Sequence, residues 1–455
     1  MSSALSELAG FAAQRALPAH VVEKAKACVL YAAAVGIACL RSPQAAQAAA
    51  ASPPSTGKAT RFLDNTKCDP AGAAFANATL FHARVQEDAH AAGHVGVVVV
   101  PTALAMAETT GASGADLLSA VAMGYETALR IGRDHAADLS ARGFRTTPAY
   151  GVFGAAAAAG RLMGFSAQTM THALGLAANM AGGLREFAAA GSEDFAFQAG
   201  TAAANGITAA RLAAAGAGSS PSVLEGEAGF YRAFGETGRR YAARLAAGLG
   251  TEFEIMGVTY KPYPICQFHR GIVRGCLELR SRARRAPLAS LTIRMNPFEA
   301  DFFGVRFAGP FRSFPQTFMS APFCASLAWA RGSVTLAGLT DFEDADVLAL
   351  VPRVTVLSDK QRARYSPLVQ ARLADDTRLE WEERERADAY LLTWDTARRM
   401  TATLAAEAGV SAAAAERLIA EVERLDGARD VEALVGALSS SIEERCTSGS
   451  GAAGP

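Results

Sequence analysis

The segment Gly154-Ala155-Ala156-Ala157-Ala158-Ala159-Gly160 contains no side chain larger than a methyl group. Alanine has the highest intrinsic helix propensity and loses no side-chain entropy on folding. Helical spacing with similar Ala-rich composition recurs over 104–109, 114–130, 151–163, 167–182 and 200–215. Helices this thin can pack backbone to backbone, so the first 258 residues are expected to form a dense bundle of buried helices. Phe, Leu and Met recur between the alanines, which excludes a flexible linker.

The texture changes near Tyr260. Runs with β character follow at 290–295, at 354–357 and over 368–381, the last spaced as a hairpin, with a helical stretch at 320–330 between them. This predicts a smaller α+β domain over 259–396. Helical spacing returns after Trp394 through Leu404, Val410, Leu418, Ile419, Val422 and Leu425. The expected fold is therefore mostly α: a large all-helical domain from 1–258 and 397–455, plus the smaller α+β domain.

Composition excludes several functions. Of 455 residues, 50% are apolar, which suits a globular core. Lys+Arg and Asp+Glu both total 44, so the chain lacks the positive surplus that a nucleic-acid backbone demands. The basic run Arg280, Arg282, Arg284 and Arg285 reads as a solvated helix end. Cysteines 28, 39, 68, 266, 276, 324 and 446 are scattered without a CxxC pair, as in a reducing compartment. The first twenty residues carry no secretory pattern. The apolar stretch 27–40 falls short of the roughly 20 residues that span a bilayer and reads as a buried helix. A cytoplasmic protein without a membrane partner is expected, with a disordered tail over 447–455.

Several motifs follow one another along the chain. Leu17-Pro18 stands with Ala25-Lys26 near the start. Ala76-Asn77-Ala78-Thr79-Leu80-Phe81-His82-Ala83 is followed by His94-Val95-Gly96. Then come Gly143-Phe144-Arg145-Thr146-Thr147, Gly191-Ser192, Leu224-Glu225-Gly226 and Lys261-Pro262-Tyr263-Pro264-Ile265-Cys266. In this order and spacing they resemble the MmgE/PrpD family, whose members include 2-methylcitrate dehydratase and cis-aconitate decarboxylase, and the resemblance runs over nearly the whole chain. It implies a helical domain with a small α+β lid, an active site between them, a homodimer, and no metal or other cofactor.

Removing a proton beside a carboxylate and expelling a neighbouring group needs a base, an acid and cations for the carboxylates. Where relatives read "A.DFDDT", this chain has Val85 for the Asp and Ala89 for the Thr, while Glu87 and Asp88 remain. His94 keeps the His of "HPG", with Val95 for its Pro. Arg145 takes the place of the His in "GFHPT". In "GSWTKRLHPG" the Lys becomes Phe195, the Arg Ala196 and the His Gln198; Phe323 replaces the Tyr of "S.PY". The resemblance thus implies His94, Glu87, Asp88 and Arg145 as catalytic candidates. His90, Thr146, Asp194, Gln198, Lys261, Cys266, His269, Phe195 and Phe323 are the candidates for lining the substrate.

Structural roles compete at several positions. His82 lies in an apolar run and reads as a structural histidine; His20, His135 and His172 read as surface or helix residues. His90 and His94 lack a third ligand for a metal. Cys266 and His269 suggest a nucleophile pair less than a substrate wall, and Arg185-Glu186 reads as a buried ion pair. Loss of Lys, Asp and Tyr from the family positions predicts a substrate less anionic and more apolar than citrate analogues. Three readings follow: a diverged lyase or isomerase acting on a carboxylate-bearing small molecule, a cyclase or other enzyme of specialised metabolism, and an inactive binding homologue.

Overall fold

Polar caps mark where the helices begin. Ser113 and Asp116 form a reciprocal capping box before the helix Gly114–Gly132. Ser166, Ser320, Thr393 and Ser411 accept the amide three residues on, at the starts of Ala167–Ala178, Ala321–Arg331, Trp394–Ala408 and Ala412–Glu423. Gly111 and Gly409 end their helices in the left-handed conformation. The computed structural model describes residues 3–13, 17–236, 239–284 and 286–448. Arg285, the Cys446 side chain and the tail from 449 lie outside the described residues; the helix Glu432–Ser448 runs into the start of the segment read as a tail.

The chain divides into two compact units. One comprises the chain up to Leu184, Phe195–Val258 and the chain from Leu392 on; the other comprises Arg185–Asp194 and Thr259–Leu391. The segment 185–194, which the sequence places in the helical domain, thus belongs to the second unit. Its backbone explains why: the Ser313 hydroxyl donates to the Gly191 carbonyl at 2.6 Å, within the same unit.

In the first unit the helix Thr146–Leu162 is buried at every residue from Thr147 to Gly160. It packs against Phe195–Ala214, Gly114–Gly132 and Gly96–Thr110, while Pro70–His82 packs on Phe195–Ala214. These contacts depend on missing β-carbons. A Cβ on Gly206 would overlap the Ala155 methyl and stand 2.8 Å from the Ala156 amide; one on Gly154 would stand 2.7 Å from the Gly124 carbonyl oxygen. Residues 27–37 of the apolar stretch 27–40 lie in the helix Ala19–Ile37, which is buried from Lys24 onward, and 38–40 form the turn after it. Among the described residues no helix is long and apolar enough to cross a membrane. A short antiparallel ribbon, Ala59–Arg61 with Thr66–Cys68, also belongs to this unit.

The second unit is built on a four-stranded sheet. Strand Leu288–Met295 pairs in parallel with Val354–Ser358 and antiparallel with Leu368–Leu373, which continues as a hairpin to Arg378–Glu382. The helix Arg270–Arg282 packs on the last two strands. Its basic end is tied down as well as solvated: Arg280 donates to the Trp329 carbonyl at 2.6 Å and Arg282 to that of Glu380 at 2.8 Å.

Two glycine substitutions should have opposite signs. Gly206→Ala forces backbone apart and is expected to destabilise by about 1–3 kcal/mol. Gly436→Ala meets nothing within 4 Å in an exposed helical position and should stabilise by about 0.5–1 kcal/mol. Chemical denaturation of both variants checks the pair.

Candidate active site

The helix Pro70–His82 ends at His82, and the chain reverses through Val85, which holds a left-handed φ of 50°. A β-branched residue there is strained. Neighbours fix it in place: Arg84 donates to Gln86 Oε1 at 2.8 Å and to Glu407 at 2.9 Å, and the Tyr31 hydroxyl donates to the Gln86 carbonyl at 2.5 Å. The reversal brings Glu87 back over His82.

Glu87 is 2% exposed and lies between two imidazoles. Its Oε2 is 3.2 Å from His82 Nδ1, and its Oε1 is 3.6 Å from His94 Nδ1. His94 Nδ1 also stands 2.8 Å from the Asp88 carbonyl oxygen. A carbonyl only accepts, so Nδ1 carries the proton and Nε2 keeps its lone pair. The backbone amide of His94 donates to Thr147 Oγ1 at 3.2 Å.

Arg145 is buried beside this group. Its Nη1 donates to the Phe195 carbonyl at 2.7 Å and to Gln198 Oε1 at 3.4 Å, and its Nη2 makes a short contact with His82 Nε2. A guanidinium has no acceptor, so His82 Nε2 must accept and the hydrogen of the neutral ring sits on Nδ1, the nitrogen 3.2 Å from Glu87 Oε2. The Phe195 ring meets the His82 ring edge-on at 5.3 Å. Arg145, His82, Glu87 and His94 thus form one continuous polar chain in the first unit.

The Asp88 side chain turns away from that chain. It accepts the Tyr125 hydroxyl in a short hydrogen bond and the Gly96 amide at the N-terminus of Gly96–Thr110. Burial pushes its carboxyl up to about 6, against the lowering effect of Tyr125. Lys24 lies close enough to interact with it; burial lowers the Lys24 ammonium, which donates to the Val258 and Leu392 carbonyls at 2.7 and 2.5 Å.

The remaining first-unit candidates lie around this centre. Thr146 begins its helix, and Gly93 packs so closely that a Cβ would stand 2.9 Å from its hydroxyl. Gln198 donates to the Leu184 carbonyl at 3.0 Å. His90 stands 3.6 Å from Glu254, and burial lowers its pKa. Among the described residues no group of three or more His, Cys, Asp or Glu could hold a metal.

The second unit holds the others. Asp194 is exposed and accepts the Ser192 hydroxyl. Lys261 is 2% exposed, and Phe323 is fully buried with its ring 4.8 Å from that of Phe311. Cys266 is half-buried, its thiol pushed up to about 11 chiefly by burial; burial likewise depresses His269 to about 3. Neither value suits a thiolate–imidazolium pair. Glu186 is exposed, and the Arg185 guanidinium lies 3.7 Å over the Phe302 ring, so the pair is not a buried one.

Sequence reasoning passed over four residues. His82 is buried, as a structural histidine would be, yet it bridges Arg145 and Glu87. Thr147 and Tyr125 support His94 and Asp88. Glu299 of the second unit is fully buried, with Oε1 accepting the Tyr365 amide at 2.7 Å and Oε2 without a hydrogen-bond partner. His135, read as a surface or helix residue, is instead fully buried among Tyr150, Phe230, Tyr231 and Tyr241.

The MmgE/PrpD N-terminal domain matches residues 4–240, and the chain belongs to the MmgE/PrpD family. It is similar to cis-aconitate decarboxylase of Aspergillus terreus, 29% identical over 62% of this chain and 61% of that one. It is 31% identical to the cis-aconitate decarboxylase-like protein oryM of Aspergillus oryzae, over 54% of each chain. With human cis-aconitate decarboxylase it shares 35% identity over 35% of this chain and 34% of the other. The matched region spans less than two thirds of each of these relatives.

Glu299 gives a pH test. Burial raises its pKa from 4.5 to about 7, so the folded state binds more protons than the unfolded one between these values. Stability is intact below about pH 4.5 and falls as pH rises through about 7, by on the order of 3 kcal/mol at most. Glu299→Gln should flatten this window and exceed the parent in stability at pH 8, as measured by denaturation at several pH values.

Proposed function

We propose that this protein is a lyase-type enzyme that moves a proton on a carboxylate-bearing small molecule less anionic than citrate, with His94 as the proton-transfer group. One observation carries the reading: His94 presents Nδ1 to the Asp88 carbonyl and lies 3.6 Å from the buried Glu87. The carbonyl fixes the tautomer that leaves Nε2 basic, and Glu87 provides a negative charge beside the imidazolium formed when Nε2 takes a proton. A nearby carboxylate supports a histidine in this way without itself being protonated.

Similarity to cis-aconitate decarboxylases supports lyase chemistry, while the residues of this chain argue for a different substrate. Arg145 spends its donors on Phe195, Gln198 and His82; we read it as the group that locks His82 rather than as a substrate anchor. Phe195 and Val85 bring apolar surface where the family motif has Lys and Asp. Asp88, enclosed by Tyr125 and Gly96, holds backbone in place and does not exchange protons with substrate.

Negligible decarboxylation of cis-aconitate and negligible dehydration of 2-methylcitrate are expected. Singly and doubly charged carboxylates incubated with the enzyme in D2O should instead exchange a carbon-bound proton, followed by NMR. His94→Gln should slow that exchange by about 100-fold or more with little change in melting temperature. Turnover of either tricarboxylate at about 1–1,000 per second would refute the substrate class. A folded His94→Gln protein with full exchange activity would refute the role of His94.

A further inference from the structure

The second unit holds a cavity of about 410 Å³ that the proton-transfer reading leaves unused. Ala188, Ala189 and Ala300 give it methyl walls, and Phe302 and Phe307 add rings. Its charged or amide side chains are Asp301, Arg306 and Gln316. Volume and apolar lining both suit a small organic ligand. The walls are held from behind. The Arg185 guanidinium lies 3.7 Å over the Phe302 ring, and the Phe268 ring meets that ring edge-on at 5.0 Å. Gly304, at a left-handed φ of 81°, lets the segment 301–307 close on Ala188, since a Cβ there would stand 2.8 Å from the Ala188 carbonyl oxygen.

The polar groups of the cavity are unevenly used. Asp301 Oδ1 accepts from Arg306 Nη2 at 2.7 Å, and its Oδ2 accepts the Ser358 hydroxyl at 3.4 Å. Gln316 Oε1 accepts the Arg312 amide at 2.7 Å. The side-chain acceptors are thus engaged, while Arg306 Nε and Nη1 and Gln316 Nε2 have no acceptor among the described residues. These nitrogens only donate, so the ligand they suit is an acceptor. Asp301 offsets much of the Arg306 charge, which favours a single carboxylate over a polyanion. We propose that the cavity binds a small amphipathic monocarboxylate, its carboxylate on Arg306 and Gln316 Nε2 and its hydrocarbon against Phe302, Phe307 and the alanines. The site is independent of the chemistry assigned to His94. Arg306 keeps 48% of its side chain exposed, so water competes for the carboxylate and binding is modest.

Ligand-observed NMR titration of the full chain with 3-phenylpropanoate tests it, with 3-phenylpropanamide and citrate as controls. The parent protein should bind the monocarboxylate with a Kd of about 0.1–1 mM. The neutral amide and the tricarboxylate should each bind about tenfold more weakly or worse. Arg306→Gln removes the cation and should weaken 3-phenylpropanoate about tenfold. Ala189→Leu, at an exposed helical position, fills the cavity and should weaken it at least as much. His94→Gln should leave the affinity unchanged. Absence of binding by the parent up to about 10 mM ligand overturns the proposal, as does an affinity unchanged in either Arg306→Gln or Ala189→Leu. Loss of binding in His94→Gln would assign the ligand to the proton-transfer centre and overturn the proposal as well.

Discussion

Helices can touch backbone to backbone only where no β-carbon stands between them, and the first unit depends on that condition. Gly124 meets Gly154, Gly206 meets Ala155, and a Cβ on Gly200 would stand 2.6 Å from the Phe75 carbonyl oxygen. The last two contacts join the helices that carry the candidate site. The helix Thr146–Leu162 carries Arg145 and Thr147 at its start, Phe195–Ala214 carries Phe195 and Gln198, and Pro70–His82 ends on His82. Side-chain distances near 3 Å among these residues therefore inherit their precision from glycine contacts several turns away. A loosened contact would degrade the site before it unfolded the protein, since interiors packed at crystal-like density transmit displacement.

The electrostatics of the centre turn on one carboxylate shared by two imidazoles. Arg145 cannot lose its proton, so its contact obliges His82 to remain a neutral acceptor at Nε2. Glu87 then lies 3.2 Å from a His82 nitrogen that brings no neutralising charge, and its other oxygen faces His94. Where the family motif has a histidine, Arg145 reaches inward and sets the state of a different histidine.

Much of this fold was legible. Ala-rich spacing gave the buried helices because alanine combines helix propensity with thinness, and the 368–381 run gave its hairpin because alternation and turn residues are local signals. The move of 185–194 to the second unit was not legible, since it rests on a contact between Gly191 and Ser313, far apart in sequence. His94 and Glu87 were singled out by motif position, and the structure brings the two side chains to 3.6 Å of each other. The place of His82 beside Glu87 was not legible for a physical reason: the chain reversal at Val85, a conformation no propensity favours for a β-branched residue, is what folds Glu87 onto it. Tyr125 left no local signal at all, because only tertiary packing beside Gly96 makes it a donor to Asp88.

Lys24 has a topological meaning as well. Its two acceptors, Val258 and Leu392, are the last residue before and the first after the long second-unit segment, and the Leu392 amide itself donates to the Val258 carbonyl at 3.1 Å. To the helical unit, everything from Thr259 to Leu391 is a closed loop whose ends are already joined. The entropy of closing such a loop grows only with the logarithm of its length. The helical unit is thus nearly indifferent to how long that segment is, and a lineage could lengthen or shorten 259–391 away from the part that holds Arg185–Asp194 while the helices joined by the Lys24 clasp kept their stability.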